Sequence, residues 1–136
     1  MEKEIKIVNN VNEITRLADF VDELGVELDL SPEVTMNINL AVEEAVVNII
    51  LYAYPRDQFH EIRLKVTASE QQLIFLLSDS GMSFDPTRVP DADVTLPLEE
   101  RPVGGMGIFL IRKIMNEVTY ERIDGENKLT MKKYIE

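Results

Sequence analysis

The sequence predicts an α+β protein in which helices pack on one face of a mixed, mostly antiparallel sheet. Two helical patterns follow a first strand-like segment, and strands, a helix and a final pair of strands come after them. This irregular order favours a two-layer sandwich over the regular βαβ alternation of a parallel sheet. With 136 residues, of which 45% are hydrophobic and 29% charged, the chain has the size and composition of one domain, residues 1–136.

The first half of the chain predicts one strand and two helices. Residues 2–8 alternate charged and apolar side chains, which is typical of a half-buried strand. Apolar residues then recur at helical spacing over residues 11–24, and we expect Gly25 to end this helix. A second helix is predicted from residue 32 to about Leu51 or Tyr52, because Ser31 suits the N-cap and a proline follows in the first turn.

The second half of the chain predicts mostly strands. They are expected at residues 61–68, 72–78, 117–123 and 127–135, with a helix at 106–115. The last two strands form a hairpin around an Asp-Gly turn. Residues 80–105 hold four of the six prolines and three of the six glycines, and irregular segments of this length are usually lids or binding loops.

The charge of the chain narrows its functions. A formal net charge of −11 disfavours binding to nucleic acid or to an anionic membrane. No apolar run approaches the roughly 18 residues of a membrane span, and the first residues do not resemble a signal peptide, so a cytoplasmic location is expected. The absence of cysteine excludes disulfides and thiolate metal sites. Any phosphate site in so acidic a chain is expected to use glycines, backbone amides and a divalent cation.

The second predicted helix carries polar side chains in an apolar setting. Asn48 stands among aliphatic residues, and Glu44 lies one turn earlier on the same face. A carboxylate can accept a proton, and an amide oxygen can bind a hard cation. Alternatively, Glu43 and Glu44 are solvated helix charges and Asn48 is a hydrogen-bonded core amide.

Two further segments have the composition of a ligand site. Asp79 directly follows an apolar strand and precedes Ser-Gly, so its carboxylate can accept from an exocyclic amine while Gly81 lets a ligand approach the backbone. The other interpretation is an ordinary strand-ending turn. Gly105 and Gly107 lie where a helix begins and presents free amides, which favours an anion site, although a glycine-rich helix start without a ligand is the alternative. The segment matches neither the P-loop nor the Rossmann pattern.

Taken together, the three segments resemble the gyrase/Hsp90/histidine-kinase/MutL ATPase superfamily, the Bergerat fold. The stretch from Glu44 to Asn48 resembles its N box, Asp79-x-Gly81-x-x-Phe84-Asp85-Pro86 its G1 box, and residues 104–111 its G2 box. Within the superfamily the chain is most similar to the anti-sigma-factor serine kinases, notably in the Phe-Asp-Pro tail. The resemblance covers nearly the whole chain.

The resemblance implies ATP and magnesium as ligands and a role for each site residue. Glu44 would be the general base, and Asn48 would ligate magnesium. Asp79 would bind adenine, with Gly81 and Thr130 beside it. The phosphate site would comprise Gly105, Met106 and Gly107, residues 82–103 would form the ATP lid, and Arg101 is the candidate for a contact with the γ-phosphate.

The partners implied by the resemblance are a sigma factor and a small antagonist protein that is phosphorylated on serine, with the kinase acting as a homodimer. Three alternatives stay open. One is an ATP-gated protein-binding module without transfer. Another is a detached histidine-kinase catalytic domain, in which the single histidine, His60, is expected to be an ordinary surface-loop residue. The third is a gyrase-like or MutL-like ATPase, which would need transducer domains.

Overall fold

The computed structural model describes residues 1–52, 60–83, 85 and 105–135. Its elements in chain order are β1 (Glu2–Val8), a 3₁₀ turn (Val11–Glu13), α1 (Ile14–Glu27), α2 (Pro32–Tyr52), β2 (Glu61–Ala68), β3 (Gln72–Asp79), α3 (Gly105–Ile114), β4 (Glu117–Ile123) and β5 (Glu126–Tyr134). Every strand and helix predicted from sequence periodicity is present, with ends that differ by at most a few residues.

The five strands form one sheet in the order β1-β2-β3-β5-β4. All four strand pairings among the described residues are antiparallel. The buried apolar strand residues share one face, because Leu64 pairs with Leu77 and Leu77 pairs with Leu129 across the ladders. They form a single core cluster with the buried residues of all three α-helices, so the helices cover this face. The predicted two-layer α+β class is confirmed.

Helix α2 is apolar over a longer stretch than the sequence analysis expected. Its Pro32–Leu51 stretch is long and apolar enough, by length and composition alone, to cross a membrane. In the structure this helix is the centre of the core, where it contacts both α1 and α3. Its buried apolar residues are Ile38, Ala41, Val42, Ala45, Val46 and Ile49. Its apolar composition is therefore explained by its place in the helical layer, where it contacts α1 and α3 and its buried side chains belong to the core.

Gly25 has a different role from the predicted one. The helix continues past it to Glu27, and the chain turns at Asp29, whose φ of 54° lies in the left-handed region. Gly25 is buried, and a Cβ atom added to it would lie 2.4 Å from Thr35 Oγ1 and 3.2 Å from Thr35 Cβ. The glycine therefore permits the close approach of α1 to α2 and does not end the helix.

We expect Gly25→Ala to lower the free energy of unfolding by about 1–3 kcal/mol in urea titrations, the usual effect of overpacking. Rotation of the Thr35 side chain cannot relieve the clash, because Thr35 Cβ itself is too close and Oγ1 donates to the Ser31 carbonyl. The matched control is Gly25→Ala combined with Thr35→Ala, which should recover part of the loss. Unchanged stability in the single variant would show that the two helices separate freely.

Candidate functional site

A cavity lies beneath α2, at the end of β3 where the strand leaves the sheet. It contains about 330 Å³ of space between its atoms, part of it open to solvent. Its lining residues are Ala45, Asn48, Ile49, Leu77, Asp79, Ile111, Tyr120, Asn127 and Leu129. Apolar walls with a few convergent polar groups suit a planar base that is recognised at one edge.

Asp79 is held rigidly at one wall of this cavity, with only 2% of its surface exposed. Its Oδ1 atom accepts from the Gly81 backbone amide at 2.8 Å and from Asn127 Nδ2 at 3.1 Å. Among the described residues neither of these donors, nor any other, binds Oδ2. Within the part of the chain that the structure describes, the predicted acceptor therefore has one oxygen anchored and no donor to the other.

Asn48 lines the same cavity and is 6% exposed. No hydrogen bond to its side-chain amide is found among the residues that the structure describes. Its place in the cavity lining is what the predicted role as a ligand requires, and that role stays a prediction.

Glu44 lies one helical turn before Asn48 and is only half-buried. Burial, and secondarily the charge of the neighbouring Glu43, raise the pKa of Glu44 above its usual range. It does not line the cavity that contains Asn48 and Asp79. The structure therefore brings two of the predicted polar groups together and leaves the third one turn away along α2.

Thr130 is not brought to the cavity. The β3–β5 register pairs Thr130 with Leu76 on the outer face of the sheet, while Asp79 pairs with Asn127. Asn127 is 5% exposed, lines the cavity and donates to Asp79, so it occupies the place beside Asp79 that was predicted for Thr130. The signal was present in the sequence, since alternation in β5 places residues 127, 129 and 131 on one face and residue 130 on the other.

The remaining predicted site residues are described only in part. Gly81 is buried directly after β3, and Gly105, Met106 and Gly107 form the first turn of α3, as predicted for a helix start. Arg101 lies outside the described residues, as does the predicted lid over 82–103 apart from residues 82, 83 and 85.

No group of three or more His, Asp or Glu side chains within the described ranges is arranged to hold a metal. The magnesium assignment therefore depends on Asn48, whose amide oxygen is a suitable ligand for a hard cation. In such a site the phosphates of the nucleotide and water would provide the remaining ligands of the cation. The assignment stays a prediction.

Comparison with known proteins defines the class of this protein. The family model of the histidine kinase-like ATPase domain matches residues 7–133, nearly the whole chain. The chain belongs to this family, and the resemblance drawn from the N, G1 and G2 boxes is confirmed at that level.

Among individual relatives, the chain is similar to proteins named as kinases. It is 32% identical over 104 residues to the serine-protein kinase RsbW of Bacillus cereus, covering 74% of this chain and 64% of that one. It is 28% identical over 101 residues to the serine/threonine-protein kinase BtrW of Bordetella bronchiseptica, covering 74% of this chain and 71% of BtrW. The chain thus matches slightly less than two thirds of the length of RsbW.

Proposed function

We propose that this protein is an ATP-dependent serine/threonine protein kinase that acts as an anti-sigma regulatory factor and phosphorylates a small antagonist protein. The convergence of Asp79 and Asn48 on one cavity carries the proposal, because it joins an acceptor for an exocyclic amine to a buried amide oxygen that suits a hard cation. The names of the relatives favour serine as the acceptor residue.

Each part of the nucleotide has a complementary group in this proposal. The free oxygen of Asp79 accepts from the adenine amine, and the apolar walls formed by Ile49, Leu77 and Leu129 contact the ring. The phosphates extend toward the first turn of α3, where helix amides favour an anion. Asn48 and the phosphates would hold magnesium, which would neutralise phosphate charge that the acidic chain would otherwise repel.

In the proposed transfer step, Glu44 is the general base. The serine oxygen forms a bond to the γ-phosphorus as the bond from that phosphorus to the β–γ bridging oxygen breaks, and ADP leaves. Glu44 accepts the hydroxyl proton. Its raised pKa brings the carboxylate closer to the range in which a base is effective near neutral pH.

The partners in this proposal are a sigma factor and the antagonist substrate, bound by a homodimer in the cytoplasm. The net charge of −11 is compatible with a basic protein partner. The same charge supports a protein that contacts neither nucleic acid nor an anionic membrane directly.

A second function is favoured by one observation. Glu44 does not line the cavity, as expected for an ATP-gated anti-sigma module that binds nucleotide and transfers nothing. Hydrolysis of ATP by the purified protein separates the two, because the module would bind ATP without turnover.

Calorimetric titration with ATP, with and without magnesium, tests the proposed function. The wild type should bind ATP more tightly when magnesium is present. In Asn48→Leu this enhancement should disappear, because the variant has no amide oxygen for the cation. Without nucleotide the variant should keep its fold, since leucine is close to asparagine in size and the position is buried in an apolar setting.

The matched control is Asn37→Leu, the same change on the same helix outside the cavity lining, which should keep the magnesium enhancement. Failure of the wild type to bind millimolar ATP would refute the kinase and leave a protein-binding domain of this fold. Binding that is equally strong with and without magnesium would remove Asn48 from the role of ligand.

A further inference from the structure

Asn127 is the centre of a hydrogen-bond network that joins the β4–β5 hairpin to the end of β3. Its Nδ2 atom donates to Asp79 Oδ1 at 3.1 Å and to the Met82 carbonyl at 2.8 Å. Its Oδ1 atom accepts from the Tyr120 hydroxyl at 2.5 Å and from Arg122 Nη1 at 2.9 Å. The side chain therefore contacts Asp79, the proposed acceptor for adenine, and Met82, the first residue of the predicted lid.

The direction of the Asn127 amide is fixed by its neighbours on β4. A guanidinium can only donate, so the amide oxygen must face Arg122. The NH₂ group then has to face Asp79 and Met82, the two acceptors on the opposite side. Two donations and two acceptances satisfy the amide completely, so Asn127 orients Asp79 and has no hydrogen bond left for a ligand.

Arg122 adds a second connection to the same segment. Its Nη1 atom also donates to the Gly81 carbonyl at 3.0 Å, while the Gly81 amide donates to Asp79. Both polar groups of the Gly81 backbone are thus engaged, one by Arg122 and one by Asp79. Arg122 is exposed on the edge strand β4, so its substitution leaves the core intact.

We propose that Tyr120, Arg122 and Asn127, here named the hairpin clamp, are positioning residues that hold Asp79 and the first lid residues in the geometry that binds adenine. The clamp acts before any ligand arrives, because all of its hydrogen bonds are formed within the chain. Preorganisation of this kind improves affinity by reducing the ordering needed on binding. The role of the clamp in adenine binding depends on the proposed function, whereas its hold on Gly81 does not.

The test uses Arg122→Gln in two measurements. In nucleotide-free protein, amide hydrogen exchange at Gly81, followed by NMR, should be about five- to tenfold faster, the effect of losing one to two hydrogen bonds. The dissociation constant for ATP with magnesium should rise about five- to tenfold, and the preference for ATP over GTP should fall because Asp79 is less well oriented. Tyr120→Phe keeps the ring at the cavity and should show smaller changes in the same direction.

Two controls make the result specific. Lys128→Gln removes the same charge next to Asn127 on the other face of the sheet and should stay within twofold of the wild type in both measurements. In the Asn127→Ala background, Arg122→Gln should weaken ATP binding further by much less than it does in the wild type, because it acts largely through Asn127.

Equal behaviour of Arg122→Gln and Lys128→Gln in both measurements would overturn the clamp. Faster Gly81 exchange without a change in ATP affinity or ATP-over-GTP preference would overturn its role in adenine binding. If the wild type does not bind ATP, the proposed function and that role fail together, and the exchange at Gly81 still decides whether Arg122 holds this segment.

Discussion

Glu44→Gln should lower the rate of phosphoryl transfer by about 10²–10⁴-fold, the usual contribution of a general base, and leave ATP affinity within about twofold. Glutamine has nearly the shape of glutamate but cannot accept the hydroxyl proton. Binding should be spared because Glu44 lies one turn from Asn48 and outside the cavity lining. ATP hydrolysis measures the effect without a partner, since water replaces the serine, and transfer to an unphosphorylated protein substrate measures it fully.

The pH dependence gives a second test of the same residue. Burial and the charge of Glu43 raise the pKa of Glu44, and the base works only when ionised. The wild-type rate should therefore fall, as the pH is lowered, at a pH above the ordinary glutamate pKa of about 4.3. Glu43→Gln removes the like charge, so it should lower this pKa and shift the fall in rate to lower pH while keeping the rate near pH 7.

The raised pKa of Glu44 also makes the free energy of unfolding depend on pH, in the opposite direction to the rate of transfer. A raised pKa in the folded state means that Glu44 contributes stability when it is protonated, below its unfolded pKa, and that this contribution is lost as the pH rises through the folded pKa. Glu44→Gln should therefore be more stable than the wild type near pH 7, and the difference should fade in acid.

Loss of transfer in Glu43→Gln with transfer retained in Glu44→Gln would make Glu43 the base.

Asp79→Asn should weaken ATP binding by about 10- to 100-fold, which corresponds to the loss of a hydrogen bond to a charged acceptor. The donors of Gly81 and Asn127 both point at the Oδ1 position, so the new amide must place its oxygen there. Its NH₂ group then takes the place of Oδ2 and faces the adenine amine, donor against donor. The fold should be retained, because both internal hydrogen bonds are preserved.

Competition with GTP sharpens this experiment. Guanine presents a carbonyl where adenine presents an amine, so Asp79→Asn should lose affinity for ATP more than for GTP. Asp124→Asn is the matched control, because it removes the same charge at an exposed turn whose positive φ asparagine also adopts. An unchanged ATP dissociation constant in Asp79→Asn would place the nucleotide elsewhere.

The secondary structure was predictable because each element carries its own periodicity. Strand β1 was expected at residues 2–8 and spans Glu2–Val8, and α2 was expected from residue 32 to about residue 51 or 52 and spans Pro32–Tyr52. The prediction that Gly25 ends α1 was wrong, because the residue that requires a glycine at this position lies in another helix. Glycine is a common helix terminator, but here the contact with Thr35 requires it, and local sequence does not show that contact.

The candidate site was predictable in its residue types more than in its pairings. Asp79 and Asn48 stand out because they are polar among apolar neighbours, and the structure places both at the cavity. The pairing of Asp79 with Asn127 depends on the register between β3 and β5, strands that are far apart in the sequence. Thr130 lies on the outer face because side chains alternate along β5, and this alternation points Asn127 and Leu129 the other way.

The residues that line the cavity come from distant parts of the chain, and this links ligand binding to the stability of the whole molecule. Asn48 comes from the first half of the chain, and Asp79, Ile111 and Asn127 come from the second, so the unfolded chain has no such site. Any occupant therefore binds only the native state, and mass action links occupancy to the melting temperature. A nucleotide present at a hundred times its dissociation constant would add about 2.7 kcal/mol of stability, so the heat resistance of this protein would follow the nucleotide concentration around it.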